Sequence, residues 1–504
     1  MTNNDSVRVR FAPSPTGPMH IGGLRTAIFN WLFARHHGGK FILRVEDTDR
    51  SRYQENAEDL IYNALDWVGL DIDEGPRIGG EHGPYRQSER IELYQTWAKW
   101  LVENDKAYYD YTTPEELQQI NEEKRKLKQP PGYDRRHRNI SDAERAALKA
   151  EGRPEVIRFK MPLTGKTEIN DRLRGKIVTE NDQLNDLVLL KADGFPTYHL
   201  ANVIDDHFMG ITHVMRANEW IPTAPIHKHL YEAFGWEMPE LIHLPLLLAA
   251  GAKMSKRNPP KDKHGNPLPV LVTDYQQLGY LPSAMMNFLT NIGWTFGDDK
   301  EVFSVEEAIA AFDVDRISSS NSNFPSDKLT WFNGIYIREK LPENTLKSLL
   351  REAFEGAGYM VDDDKLNIIA PAIQTRIETL NDAVDLAGFI FADTFTPPKV
   401  EELIQKKMDL PKTKHVLELA HGALEGMNFA DPASMEQPFR DLAKDNGYKF
   451  GQLAGTLRTA TAAQRIAPPL FDTFAALGKE ETLARIKTCI GIVDQALEAE
   501  GTPE

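Results

Sequence analysis

The chain has 504 residues, 41% hydrophobic and 27% charged, enough for several cored domains, three or four by length. Its single cysteine, Cys489, excludes an internal disulfide framework and disfavours a cysteine-built zinc site. A net charge of −16 argues against indiscriminate nucleic-acid binding but not against a local basic surface. The opening MTNNDSVRVR shows no apolar leader and no run suits a membrane span, so the expectation is a cytoplasmic protein. Val7, Val9 and Phe11 alternate with Arg8 and Arg10, which predicts a first strand. Ile21, Leu24, Ile28 and Leu32 then recur at helical spacing, and His36-His37-Gly38-Gly39 is a helix stop. A second strand follows from Phe41 to about Glu46, completing a parallel βαβ unit. Helices are predicted over residues 55–67 and 88–103.

From about 110 to 195 the pattern changes. A helix breaks at Pro130-Pro131-Gly132, and strand-like VIRFKM and LVLLKADGFPTYHL follow, with a turn at Asp193-Gly194. This segment reads as an insertion, and LVLLKADGFPTYHL places Tyr198 on a strand. The core resumes near Tyr198 and runs to about Leu248. The loop LAAGAKMSKRNPPKDKHGNPLP precedes helices from about 275, and beyond about 340 the pattern is almost wholly helical. Leu346, Leu349, Leu350, Ala353 and Phe354 form the apolar stripe of one such helix.

Two short motifs carry chemistry. In FAPSPTGPMHIGGLRTAIFNWLF, a histidine and two glycines fall in the first turn of the first helix. Glycine costs about 0.8–1 kcal/mol against alanine inside a helix. Gly22 and Gly23 suit a start where phosphate lies against bare N–H groups, with His20 donating beside them. The plainer alternative is close helix–strand packing. The second motif, KMSKR, puts Lys253, Lys256 and Arg257 on a loop of small residues. Mobile cations there suit a triphosphate whose charge changes during reaction, although alone such a cluster is a solvated loop.

Together the two motifs resemble the paired signature of class I aminoacyl-tRNA synthetases. FAPSPTGPMHIGGLRTA, FILRVEDTDR, GPYRQSER, DGFPTYHLANVIDDHFMGITHVMRANEW and KLTWFNGIYIRE further resemble the bacterial glutamyl-tRNA synthetases, from about residue 7 to the C-terminus. The resemblance implies an α/β fold: a Rossmann-type parallel-sheet catalytic domain with an α+β insertion, then a helical stem-contact region and an all-α anticodon-binding region. The implied boundaries are 1–109 and 198–258 for the catalytic halves, 110–197 for the acceptor-binding insertion, 259–338 for the stem contact and 339–504 for the anticodon region.

The implied reaction joins L-glutamate to tRNA-Glu through an adenylate, with ATP and Mg²⁺ and no structural zinc. A dicarboxylic amino acid needs a guanidinium for its side-chain carboxylate and an acid for its ammonium. Arg10 and Arg216 fit the first need and Glu46 the second. By resemblance Arg10, Ala12, Ser14, Glu46, Tyr198, Asn202 and Arg216 form the glutamate site. Thr16, His20, Gly22, Gly23, Glu219, Leu247, Lys253, Met254, Ser255, Lys256 and Arg257 form the ATP site, with His20, Lys253, Lys256 and Arg257 acting in catalysis.

Lys124, Arg125, Lys126, Lys128, Arg135, Arg136 and Arg138 form a basic cluster in the insertion that an acceptor end could follow. Arg376 aligns with an arginine linked in some members to the last anticodon base, and the resemblance implies a monomer. Where some relatives carry zinc ligands, this chain has Asp110 and tyrosines, in AYYDYTTPEEL, and YDRRHRN later. Asn218 stands where many members have an acid. The nearest rival, a glutaminyl-tRNA synthetase, would end in β-barrels; a small nucleotidyltransferase or a non-enzymatic RNA-binding module would not require this whole constellation.

Overall fold

The computed structural model describes residues 6–49, 54–249, 251–254, 259–261, 265–297 and 299–500. It divides into two compact units, Met1–Tyr275 with Met285–Pro325, and Gln276–Ala284 with Ser326–Glu504. Ser255, Lys256 and Arg257 of the second motif lie outside the described residues.

In the first unit, strand β1 (Arg8–Phe11), helix α1 (Ile21–His36) and strand β2 (Lys40–Leu43) form the expected parallel βαβ unit, with Val9 opposite Phe41. The alternation in β1 does not mark an exposed face. All four residues are buried, because Arg8 closes a bidentate pair on Glu74 and Arg10 does the same on Asp206. A strand covered on both faces can hold arginines only where carboxylates meet them.

Helices α2 (Ala57–Trp67) and α3 (Ile91–Glu103) follow. Strands β3 (Ala107–Asp110), β4 (Val156–Phe159) and β7 (Val188–Leu190) form a separate antiparallel sheet. Between them lie helices α4 (Pro114–Lys126) and α5 (Asp142–Ala150), and the hairpin β5 (Lys166–Asp171) and β6 (Gly175–Glu180). Thr113 with Glu116 and Ser141 with Glu144 cap α4 and α5 by reciprocal hydrogen bonds.

Helix α6 (Tyr198–Phe208) leads to β8 (His213–Ala217), helix α7 (Ala224–Phe234) and β9 (Glu240–Leu244), a second parallel crossover. Tyr198 therefore opens a helix and does not sit on a strand. The strand pattern stops at Leu190 because the chain turns at Gly194 (φ +82°), and Thr197 then precedes the helix. The hairpin β5–β6 joins the core sheet, in the order β6-β5-β9-β8. Thr212, just before β8, ties that sheet to β1: its N–H donates to the Arg8 carbonyl and its hydroxyl accepts from the Arg8 N–H.

Asp110 and Tyr133 of the insertion belong to a buried polar network. Asp110 accepts from Arg158 Nε at 2.5 Å, from Thr112 Oγ1 at 2.7 Å and from Tyr133 OH at 2.9 Å, and its Oδ1 lies 2.6 Å from His137 Nδ1. Burial raises the Asp110 carboxyl, but these partners win and hold it at about 2. The network also corrects the basic cluster. Arg135 and Arg138 turn inward onto Asp186, Arg136 pairs with Asp134, and Lys124 donates to the Gly132 carbonyl. Arg125, Lys126 and Lys128 are exposed.

The second unit is helical, as expected. Leu346, Leu350 and Phe354 are fully buried along the predicted stripe, while Leu349 and Ala353 are half-buried at its margin. Leu417, Phe439, Leu457, Phe474, Ile486 and Cys489 meet in one core. Burial pushes the Cys489 thiol up to about 12, so it is an inert core residue. Among the described residues, no helix is long and apolar enough to cross a membrane.

Candidate active site

The carboxyl ends of β1, β2 and β8 and the start of α6 open on one cavity of about 160 Å³. Ligands in parallel sheets bind beyond these strand ends. Arg10, Ala12, Glu46, Tyr198, Asn202 and Arg216 all line it, as does Gly23 of the first motif. Ser14 is exposed on the loop after β1 and is not among the lining residues.

The first turn of α1 departs from expectation. The Ile21 amide donates to the Val270 carbonyl at 3.0 Å, the Gly22 amide to His20 Nδ1 at 3.0 Å, and the Gly23 amide to the His20 carbonyl at 2.8 Å. These amides already have acceptors, so the helix start is not a row of open phosphate donors. His20 is instead the N-cap, and a histidine that accepts at Nδ1 carries its proton on Nε2. The donor role therefore falls to Nε2–H.

The glycines still have a physical reason. A Cβ on Gly22 would lie 3.2 Å from the capping Nδ1, so alanine there crowds the cap. A Cβ on Gly23 meets nothing nearer than Met19 Cγ at 3.6 Å, and Gly23 lines the cavity. Gly23→Ala should therefore fold as well as the parent, or better by about 1 kcal/mol. Its methyl group should nevertheless raise the KM for a ligand filling the cavity, read by steady-state kinetics beside a thermal melt.

Charge around the cavity is arranged in two parts. On one side Arg10 Nε and Nη2 lie 3.0 and 3.3 Å from the two Asp206 oxygens, and Arg44 Nη1 lies 2.6 Å from Asp206 Oδ1. Arg44 Nη2 reaches Glu46 Oε1 at 3.1 Å. Behind them Asp205 accepts from Arg90, Gln87 and Tyr94. Arginines 10, 44 and 90 thus face Asp205, Asp206 and Glu46, three charges of each sign. Burial raises the Glu46 carboxyl above its usual range in spite of Arg44 and Arg10, so it gains from any further cation.

On the other side stands Arg216, which is 6% exposed. It donates to Tyr198 OH at 2.9 Å, His243 Nε2 at 3.1 Å and Thr223 Oγ1 at 3.3 Å. All are neutral acceptors, and no described carboxylate lies within ion-pair distance. Burial and the Arg216 charge keep the neighbouring imidazoles neutral, His199 down at about 4 and His227 well below the ordinary histidine range. Tyr198 packs against Trp220, with ring centroids 4.4 Å apart. Asn202 Nδ2 is buried at the cavity wall with no acceptor among the described atoms.

Of the two arginines expected to meet a carboxylate, Arg10 is therefore neutralised within the protein and Arg216 is not. Arg44, Asp206, Thr26, Met215 and Trp220 were not anticipated from sequence. The adjacent acids of VIDDHF, inside an apolar helix, are the signal that could have found Asp206.

Leu247, on strand β10 (Leu247–Ala249), is buried, and Glu219 lies exposed in the turn after β8. Asn218 donates to Asn321 at 3.2 Å, which also accepts from the Leu246 amide, so the missing acid is replaced by a structural amide contact. Thr16 donates its amide to the Ser14 carbonyl and shapes the loop after β1. Met254 is buried, and the Lys253 backbone pairs with Leu248. Asp47 accepts from the Ser88 amide and hydroxyl, a capped turn.

Residues 6–331 match the family described as tRNA synthetases class I (E and Q), catalytic domain, and residues 344–490 match an anticodon binding domain. The chain belongs to the class I tRNA synthetases of the E and Q group. Similar curated relatives are the glutamate–tRNA ligases of Dehalococcoides mccartyi, 45% identical, and Borreliella burgdorferi, 42% identical. These alignments cover 97% and 96% of this chain and 98% of each relative. A glutamate tRNA ligase from Elizabethkingia meningosepticum, solved in complex with its amino acid, superposes with a TM-score of 0.84 at 36% identity, over 97% of this chain and 100% of that one.

Proposed function

We propose that the chain attaches L-glutamate to the 3′ end of tRNA-Glu, in two steps driven by ATP, for protein synthesis. The observation that carries this reading is the buried Arg216 guanidinium, which faces the cavity with only neutral partners. A carboxylate satisfies it and a carboxamide does not. Glu46 meets the substrate ammonium, Asn202 and Tyr198 supply polar contacts, and Ala12 leaves room. Arg10 presents the edge not bound to Asp206. Ser14 closes the site from the exposed loop.

In the first step a glutamate α-carboxylate oxygen attacks the α-phosphorus of ATP. An O–P bond forms and the bond to pyrophosphate breaks. The protein supplies no nucleophile, so its work is positioning and charge stabilisation. His20 donates from Nε2 to a phosphate oxygen. Thr16, Gly22, Gly23, Glu219, Leu247 and Met254 border the nucleotide, while Lys253, Ser255, Lys256 and Arg257 hold the leaving triphosphate end. Magnesium would arrive with the triphosphate and would supply neutralisation of phosphate charge there. In the second step the terminal ribose 2′-hydroxyl attacks the acyl carbon and AMP leaves with the bonding pair.

Residues 110–197 serve the acceptor end, 259–338 the stem and 339–504 the anticodon, the enzyme acting as a cytoplasmic monomer. Arg376 lines a cavity of about 520 Å³ with Asp382, Asp385 and Gln464, which supports contact with a base edge.

ATP–pyrophosphate exchange with glutamate and with glutamine, each with and without tRNA, tests the reading. Exchange is expected with glutamate and only in the presence of tRNA. Exchange with glutamine and none with glutamate would sink the assignment; full exchange without tRNA would remove the tRNA requirement.

A further inference from the structure

The Arg216 guanidinium is oriented by a chain of buried groups that never touches the cavity. Asp171, the last residue of β5, is 3% exposed, and His243, on β9, is fully buried. Asp171 Oδ1 accepts from the amides of Leu173 and Arg174 at 3.0 and 2.9 Å. Its Oδ2 accepts from the His243 amide at 3.0 Å and lies 2.7 Å from His243 Nδ1. On the far side of the ring, His243 Nε2 lies 3.1 Å from Arg216 Nε.

An arginine Nε can only donate, so His243 Nε2 must be the bare acceptor. The ring proton is then on Nδ1, facing an ionised carboxylate that can only accept. Each end of the chain fixes the other. The arrangement also answers a problem the site poses. A carboxylate placed directly on Arg216 would hold the side chain still, but would compete with the substrate's own carboxylate. A neutral imidazole between Asp171 and Arg216 holds the guanidinium while leaving its charge open to the ligand.

We infer that Asp171 and His243 are positioning residues that set Arg216 for the substrate's side-chain carboxylate. The inference rests on the reading of Arg216 given above. It goes beyond it in assigning the specificity of the site to two residues outside the cavity.

His243→Leu removes the acceptor and most of the ring. His243→Gln restores one donor and one acceptor on a single planar group. We expect His243→Leu to raise the KM for glutamate about tenfold or more, the scale of one hydrogen bond to a charged group, with the KM for ATP and tRNA within about twofold of the parent. The preference for glutamate over glutamine should narrow. His243→Gln should recover most of both. A thermal melt accompanies each variant, and His243→Phe stands in if the leucine variant does not fold.

A glutamate KM unchanged in His243→Leu overturns the inference. So does an equal rise in every KM with no recovery by glutamine, or failure of both the leucine and phenylalanine variants to fold, since these mark a packing role. Arg216→Gln, run in parallel, separates the two readings. If it leaves the glutamate KM unchanged, the reading of Arg216 fails and the relay with it. If it raises that KM and His243→Leu does not, the relay alone fails.

Discussion

Arg216→Gln should lower kcat/KM for glutamate by roughly two to three orders of magnitude while leaving the fold intact. Truncating one partner of a buried charge pair costs about 2–5 kcal/mol, and on the proposed reading the partner is the substrate. The same substitution should not weaken the ligand-free protein. Arg216 is a buried cation whose described contacts are Tyr198, His243, Thr223 and other neutral groups. Its charge is a burden until a carboxylate arrives. The apparent melting temperature of ligand-free Arg216→Gln should therefore equal or exceed that of the parent. Saturating glutamate should raise the parent's melting temperature by mass action and leave the variant's unchanged. A variant that loses activity by melting early, or that still responds to glutamate, contradicts this account.

Asp206→Asn should act through stability first. Asp206 is 1% exposed and receives both Arg10 and Arg44. Without its charge, three buried arginines face only Asp205 and Glu46. Breaking a buried pair by removing one partner costs about 3–5 kcal/mol, because an uncompensated charge stays behind. The expected result is a clear fall in the melting temperature of the first unit at neutral pH, with the helical second unit as internal control.

Acid should reproduce part of this loss in the parent. Burial opposes ionisation of Asp206, but Arg10 and Arg44 outweigh it and hold the carboxyl below its ordinary value. A carboxyl depressed in the folded state adds stability above its unfolded value, about 3.9, and that stability is lost as the pH falls through the folded value. The variant should lack this acid-side component. An unchanged melting temperature in Asp206→Asn at pH 7 would show that the arginines find other partners.

The effects differ because the two groups answer to different partners. Asp206 is satisfied within the protein, so its loss is felt whether or not ligand is present. On the proposed reading Arg216 is satisfied by what binds, so its loss should be felt in turnover. Arg10 and Arg216, like in sign and both lining the cavity, thus differ by their neighbours, Asp206 for the first and neutral groups for the second.

The sequence by itself determined the parallel βαβ opening and the helical second half. Those features rest on local periodicity and on residue types that are rare without a chemical reason, such as histidine before paired glycines. Arg10, Arg216 and Glu46 were legible from their charge, Tyr198 and Asn202 through the resemblance to the glutamyl-tRNA synthetases, and all five, scattered over more than 200 positions, reach one cavity. What the sequence could not determine is which of these groups is already satisfied. Arg10 and Arg216 read alike in the chain. Arg10 meets Asp206 from a distant helix, whereas Arg216, among the described residues, meets His243, Tyr198 and other neutral groups. The amides of Gly22 and Gly23 read as open donors until the fold gave them His20, and the basic run near Arg135 read as surface until Asp186 turned part of it inward. Pairing of charges and of backbone donors depends on contacts between residues far apart in the chain. Only the tertiary structure decided them, because burial removes the water that would otherwise satisfy every such group equally.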